Sequence, residues 1–496
     1  MMDNLLLGLE SAFTLTNLIY CFAGVFIGTL VGVLPGLGPL AAISILLPVT
    51  FALPDATSAI IFISGIYYGT QYGGSTTSIL LNLPGESSSV MTAIDGYEMT
   101  KAGRAGAALT IAALGSFIAG TIGTLIIAIV GQPIANMVFL FGPTEYASLM
   151  VLGLIASASL SHGSAIKGIG MVLVGILLGS IGTDINSGIQ RFSFNNLNLH
   201  DGISFAILAI GIFGLSEIVL ESFKKHKVNF IVPKLRELYP SKREFKESVP
   251  AIARGTGVGS ILGILPGTGA IISSFVSYAL EKRLSKNPEK FGKGAIEGVA
   301  GPESANNAAA QTSFIPALSI GIPTTPVMSL IIATLIIHGI QPGPQVISSN
   351  PGLFWGLIIS MWIGNLFLVV LNIPLVGIWV QILKTPKLIL YSFVVAASIF
   401  GTYSINNNWF DVWLLIPFIL LGILFKKLDC NPAPLALGFV VGPMLEENLR
   451  RALTISQGDW MIFLMKPISL WMLIAALLIL ITSIIFQNRA NLNSVK

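Results

Sequence analysis

Apolar stretches long enough to cross a bilayer recur along the whole chain, separated by short polar turns. In the first half they run over about 11–33, 57–81, 105–131, 144–160, 165–183 and 203–220. In the second they run over about 251–265, 296–322, 327–341, 353–377, 389–403, 409–425 and 460–485. A bilayer-crossing helix takes about 20 predominantly apolar residues. The pattern therefore predicts an all-α polytopic membrane protein with about 10–12 transmembrane helices. Three shorter apolar pieces, 39–53, 270–281 and 433–445, are too brief to cross alone and read as half-helices or re-entrant arms. The most polar stretch, 221–250, divides the chain into an N-terminal membrane repeat (1–220) and a C-terminal repeat with additional spans (251–496).

Composition agrees with this reading. Of 496 residues 53% are hydrophobic and 10% are charged, and mean hydropathy is +0.83. A soluble domain carries roughly a quarter charged residues. The net charge of +4 is small, and the bases sit between apolar runs as topology signals. Lys224, Lys225, Lys227, Lys234, Arg236, Lys242, Arg243 and Lys246 make 221–250 a cytoplasmic basic linker. Lys384, Lys387, Lys426 and Lys427 mark further inner loops, whereas 184–201 and 406–411 suit the outer side. The first apolar run follows Asp3 and Glu10 without a base, so it reads as a retained span and not a signal peptide. Cys21 and Cys430 form no disulfide framework or metal-ligand pattern.

The strongest motif is an internal repeat. Gly28-Thr-Leu-Val-Gly-Val-Leu-Pro-Gly-Leu-Gly38 aligns with Gly259-Ser-Ile-Leu-Gly-Ile-Leu-Pro-Gly-Thr-Gly269 at an offset of 231 residues, and Gly24 pairs with Gly255. Glycines four apart (24, 28, 32 and 255, 259, 263) share one helix face and admit another backbone. Leu-Pro-Gly-x-Gly then interrupts the helix, because proline lacks the N–H and glycine tolerates positive φ. Broken backbone at membrane depth survives only where it is buried or lines a wet cavity. Paired interruptions in two halves point to a carrier's central site, with the halves expected to be inverted.

Each first interruption is followed by a second polar one, Tyr67 to Gly85 and Gly301 to Pro326, with Pro84 and Pro323 at an offset of 239. Hydroxyls, amides and freed N–H groups in apolar surroundings are costly unless something polar uses them. An anion with several carboxylates would use such donors, most of all at half-helix N-termini. The candidate substrate-binding residues are Gly36, Gly38, Ser75, Thr76, Thr77, Asn82, Gly267, Gly269, Asn306, Asn307, Thr312, Thr324 and Thr325. Glu303, Gln311 and Ser313 are candidates for a coupling ion, Na+ or H+. Hydroxyls back-bonded to their own helix are the plainer alternative for the serines and threonines. Glu145 has Glu303's ambiguity between helix-end charge and coupling, and Glu217 reads as structural. His162 and His338 could relay protons but read more plainly as interface residues; Lys101 and Arg104 could attract entering anions but read as inner-loop charges, and the tryptophans as interfacial or packing aromatics.

Gly32-Val-Leu-Pro-Gly-Leu-Gly-Pro39, Tyr68-Gly-Thr-Gln-Tyr-Gly-Gly-Ser75, Pro302-Glu-Ser-Ala-Asn-Asn-Ala-Ala-Ala310, Ile322-Pro-Thr-Thr325 and His338-Gly-Ile-Gln-Pro-Gly-Pro344 resemble the large membrane subunit of tripartite tricarboxylate transporters, the TctA family. The resemblance runs from about residue 10 to 480. It implies a multi-pass protein of the bacterial inner membrane working with a periplasmic solute-binding protein and a small membrane subunit. It also implies import of a small carboxylate such as citrate, driven by an ion gradient. Thr324 departs from the family pattern, which has glycine there.

The chain has no GxxxxGK[ST] phosphate loop, consistent with the absence of ATP chemistry. It also lacks a HExxH zinc pair, paired aspartates in spans and a serine–histidine nucleophile set, so neither an enzyme nor a cofactor or metal is expected. A channel, or an ion-coupled carrier acting without a binding protein, is the alternative function.

Overall fold

The computed structural model describes residues 2–34, 37–138, 141–160, 164–184, 187–223, 238–265, 267, 269–382 and 387–494. Pro35, Gly36, His162, residues 224–237 of the expected linker, Pro266, Thr268 and Lys384 lie outside them. The described chain is all-α but for one two-residue hairpin, in which Gly182–Thr183 pairs with Gln190–Arg191. Among the described residues six helices are long and apolar enough to cross a membrane: Leu15–Val33, Ala105–Met137, Phe205–Ser222, Pro351–Asn372, Trp409–Lys427 and Pro467–Ile485. Four apolar helices, Pro39–Phe51, Ala165–Gly179, Pro326–Ile337 and Val394–Asn406, are shorter. The many apolar stretches thus resolve into full spans and half-length arms, because proline–glycine breaks divide several of them.

Ten helices build the centre and are labelled in chain order. In the first half these are α1 (Leu15–Val33), α2 (Pro39–Phe51), α3 (Ala56–Leu81), α4 (Val90–Lys101) and α5 (Ala105–Val138). In the second they are α6 (Lys242–Ile264), α7 (Gly269–Leu284), α8 (Glu297–Thr312), α9 (Pro326–Ile337) and α10 (Pro351–Asn372). Local chemistry sets the helix starts. Thr14 and Asp55 cap α1 and α3, and Ser241 with Glu244 forms a reciprocal capping box on α6. That box draws Lys242, Arg243 and Lys246 of the expected linker into the first turns of α6.

The glycine stripes do what their spacing demands. Gly24, Gly28 and Gly32 of α1 face Phe62, Ile66 and Thr70 of α3, and a Cβ at Gly28 would sit 2.5 Å from the Ile66 carbonyl oxygen. In the second half Gly255, Gly259 and Gly263 of α6 face Gly301, Ala305 and Ala309 of α8. Phe62/Gly301, Ile66/Ala305 and Thr70/Ala309 share the 239-residue offset of Pro84 and Pro323. The eight extra residues lie between α7 and α8, where Asp95 Oδ1 accepts N–H bonds from Gly292, Gly294 and Ala295, each at 2.8 Å. Association of helices in lipid rests on close packing, since burying apolar surface gains little there.

Helices α5 and α10 cross between the halves. Gly115 and Gly123 of α5 meet Ser304 and Gln311 of α8, so these two helices run in the same direction. Gly356 and Gly364 of α10 meet Thr57 and Tyr68 of α3, again in the same direction. Gly120 of α5 meets Asn365 of α10 and Gly131 meets Phe354, so α5 and α10 are antiparallel.

Replacing Gly28 or Gly259 by valine is expected to cost about 1–3 kcal/mol of stability through overpacking. Gly257→Val on α6 is the control, since a Cβ there meets nothing within 4 Å. Thermal unfolding in detergent measures the three: equal midpoints would show that the stripes do not set the packing.

Candidate functional site

Each proline–glycine break ends one helix and begins another. Gly38 is the N-cap of α2, with Pro39 at its first position. Glu86 precedes a 3₁₀ turn, Ser87–Ser89, that leads into α4. Gly269 begins α7. Thr325 caps α9, its hydroxyl accepting the Met328 N–H at 3.3 Å, with Pro326 next. Proline suits a first helical position because its missing N–H would have no intrahelical partner. The first-turn N–H groups that no cap takes stay available, at the positive end of the helix dipole.

All four starts line one cavity of ≈ 830 Å³. Gly38–Ala41, Pro84–Ser88, Gly269–Ile272 and Thr324–Val327 supply its inner wall, with Tyr67 and Gln71 of α3 and Ser157 beside them. Glu217, Lys426, Asp429 and Cys430 line its exposed side, its mouth, with Lys426 and Asp429 themselves exposed, and Lys426 Nζ holds both Glu217 carboxylate oxygens at 2.7 Å. The volume suits a small organic ligand, for which pockets span roughly 300–1,000 Å³.

The breaks of the second half are tied to each other. The Gly267 N–H donates to the Thr324 carbonyl at 2.9 Å. Gly267 has φ +81, and a Cβ there would lie 2.8 Å from the Ala156 carbonyl oxygen. A Cβ on Gly269 would meet Thr325, while one on Gly38 would have Glu86 as its neighbour at 3.9 Å. Offsets of 231 and 239 relate these two contacts, so Glu86 stands where the second half has Thr325. Thr324 is 1% exposed and its hydroxyl has no hydrogen-bond partner, although it lines the cavity. A buried unpaired hydroxyl costs about 1–3 kcal/mol unless a ligand satisfies it.

Of the expected binding residues, Gly38, Gly267, Gly269, Thr324 and Thr325 reach this cavity; Gly36 lies outside the described residues. Ser75, Thr76 and Thr77 are buried on α3 behind it, with Ser75 and Thr77 back-bonding to Gln71 and Gly74 carbonyls at 3.1 and 3.2 Å. Thr312 and Ser313 likewise bond Ala308 and Ala310 carbonyls. Asn82 is exposed and caps the end of α3 in the left-handed conformation, φ 54. Gln311 is buried against Gly123, its carbonyl oxygen without a partner.

Glu303 gathers a second polar cluster where α3, α4 and α8 meet. Ser75 Oγ donates to its Oε2 at 2.5 Å, Thr92 to its Oε1, and Asn306 Nδ2 to Oε2 at 3.4 Å. Asn307 Nδ2 reaches Ser116 of α5 at 2.8 Å. Glu303 is fully buried and does not line the cavity. Glu145 accepts the Gly142 N–H at 2.9 Å as a helix-end group, and His338 contacts the Thr50 carbonyl at 3.1 Å.

Sequence reading overlooked Glu86, Gln71 and Ser88 as a set, and the lysine–glutamate pair at the mouth. The signal for Glu86 was present: it follows Pro84-Gly85 directly, at the position that the 239-residue offset matches to Thr325. The rim residues carry no motif; they arrive from Phe205–Ser222 and Trp409–Lys427 through packing alone.

A sequence model of the tripartite tricarboxylate transporter TctA family matches residues 18–437. An uncharacterized 52.8 kDa protein in the TAR-I ttuC′ 3′ region of Agrobacterium vitis is 53% identical over 495 residues, 100% of this chain and 98% of that protein. An uncharacterized protein in the TAR-II ttuC′ 3′ region of the same organism is 60% identical over 211 residues, 42% of this chain and 87% of that protein. No solved structure matches the chain significantly. The extent of the family match and the full-length relative establish that this multi-pass membrane protein belongs to the tripartite tricarboxylate transporter TctA family.

Proposed function

We propose that the chain is the large membrane subunit of a binding-protein-dependent tripartite system. It imports a small di- or tricarboxylate across the bacterial inner membrane, driven by a gradient of H+ or Na+. The observation that carries this reading is the convergence of four helix starts on one cavity. Aligned N–H groups and helix dipoles attract an anion without a fixed positive charge. A site built this way binds a carboxylate and can still release it. Gly38, Gly267, Gly269, Thr324 and Thr325 bind the cargo. The cluster of Ser75, Asn306, Asn307 and Glu303 joins the halves behind it.

Two further features support a moving carrier. Helix α8 follows α5, α5 opposes α10, and α10 follows α3, so α3 and α8 point in opposite directions. Equivalent helices of opposite direction are the mark of an inverted repeat, the architecture of alternating access. The cavity mouth carries Lys426, next to Lys427, and Lys167 Nζ bonds the Leu428 carbonyl at 2.7 Å on the same side. By the positive-inside rule this side is cytoplasmic, and the cavity is open inward. A periplasmic solute-binding protein would deliver cargo to the opposite face, with a small membrane subunit alongside.

Uptake of labelled citrate by vesicles, with and without the binding protein and an ion gradient, tests the reading. Uptake indifferent to both additions would favour a channel or an independent carrier. Thr324→Val is expected to weaken carboxylate half-saturation about tenfold, the loss of one buried hydrogen bond; an unchanged value would remove Thr324 from the site. Gly267→Ala forces a side chain into φ +81 and against Ala156, a cost of roughly 1–2 kcal/mol from the left-handed backbone alone. Gly38→Ala, at φ −76, carries no such strain and is expected to unfold at the parent's midpoint; equal loss of thermal stability from the two would contradict the geometry. A membrane-impermeant maleimide is expected to modify Cys430 in inside-out vesicles and not in right-side-out ones, while buried Cys21 stays unreacted. The reverse sidedness would invert the topology.

A further inference from the structure

The cavity contains a feature that an anion site does not need. Glu86 lines it, 7% exposed, among the helix starts that attract the cargo. No ion pair to Glu86 occurs among the described residues, and its described side-chain partner is the Ser88 hydroxyl. A carboxylate here occupies the positive potential that a carboxylate cargo requires, and two unneutralised carboxylates in one such site repel strongly.

With the Gln71 amide oxygen turned to Ser88, as in the structure, hydrogen counting points to how the conflict is resolved. Ser88 Oγ lies within hydrogen-bond reach of two acceptors, Glu86 Oε1 and, at 3.0 Å, Gln71 Oε1. A serine hydroxyl has one hydrogen to donate. A protonated Glu86 supplies the second, giving the chain Glu86 O–H to Ser88 O–H to Gln71 Oε1. The same count holds at Glu303, where Ser75 Oγ faces both Glu303 Oε2 and the Gln71 carbonyl. Glu303, however, is sealed from the cavity, whereas Glu86 borders it.

We infer that Glu86 is the group that couples proton movement to anion movement: it takes up one proton before the anion enters and loses it after the anion leaves. The inference rests on the anion-carrier reading of the cavity. The step is R–COO⁻ + H⁺ → R–COOH, with the proton drawn from cavity water and returned to it on the other side; no bond of the cargo changes. The corresponding break of the second half carries Thr325, a neutral hydroxyl, so these paired positions supply a single exchangeable proton.

The groups around Glu86 leave this role to it. From α3 it faces Tyr67 and Gln71, and α8 presents Glu303. On α4, Asp95 is held by Tyr278 and three backbone N–H groups. On α7, Tyr278 bonds Asp95 and Glu281 pairs with Arg254, while α2 has no titratable residue. Across the cavity stand Cys430, Asp429 and the paired Glu217 and Lys426.

Infrared titration of the purified full-length chain in lipid nanodiscs tests this without knowledge of the cargo. The carbonyl band of protonated carboxyl groups is expected to diminish as pH rises, to lose that titrating component in Glu86→Gln, and to keep it in Glu303→Gln. Ser88→Ala removes the acceptor of the Glu86 proton, so the midpoint is expected to fall by roughly one pH unit. A titrating band that survives in Glu86→Gln overturns the inference, as does a rise of the midpoint in Ser88→Ala, which would mean that Ser88 donates to an ionised Glu86. Loss of the band on exchanging choline chloride for sodium chloride at constant pH would instead place sodium on the carboxylate. Should Glu86→Gln fail to fold, the direction of the Ser88→Ala shift decides. In vesicles with labelled citrate as probe, Glu86→Gln is expected to lose at least tenfold of the stimulation that a pH gradient gives to uptake; unchanged stimulation overturns the inference. A wild-type chain that moves no citrate at all would count against the citrate assignment and leave the infrared result standing.

Discussion

Interrupting a helix inside a bilayer leaves N–H and C=O groups that no water can reach, and the rest of this structure follows from how they are met. One answer is mutual, as when the Gly267 N–H closes on the Thr324 carbonyl. The other is to gather N-termini of broken helices around one cavity. Breaks of this kind need rigid support, because a helix start displaced by even an ångström loses its aim. That support comes from the glycine stripes, which bring α1 onto α3 and α6 onto α8 at backbone contact. Small residues, proline breaks and a cavity of helix starts are therefore three parts of one device.

Specificity in such a site comes from dipoles and hydroxyls, and charge enters at its edges. Lys426 at the mouth is neutralised by Glu217, so it does not trap an anion there. Thr324 offers a hydroxyl without a partner, and Glu86 provides the one carboxyl among the four breaks. A weakly polarised cavity with an adjustable charge suits a cycle in which binding and release must both occur.

Much of this was legible in the sequence. The two Leu-Pro-Gly-x-Gly breaks, the glycine stripes and the match of Pro84 to Pro323 are local patterns with direct mechanical meaning, and their structural counterparts are Gly28 on Ile66 and Gly259 on Ala305. Side-chain direction was not legible. Ser75, Thr76, Thr77 and Thr312 cluster beside the breaks, and helical phase places them outside the lining of this cavity. Asn82 looked similar and instead takes the left-handed position that ends α3. Glu86 was not singled out, since one acid after Pro-Gly carries no motif of its own until the second half shows Thr325 in its place. The rim of Lys426, Asp429 and Cys430 depends on long-range packing that no short motif encodes.

The central claim is that a carboxylate binds where the four helix starts meet. A cryo-electron-microscopy map of the full-length chain in nanodiscs, with and without saturating citrate, tests it most directly. The account predicts ligand density between Gly38, Gly269 and Thr324, within hydrogen-bond reach of first-turn N–H groups. Density confined to the Lys101 and Arg104 surface, or an unchanged cavity at saturation, would contradict it.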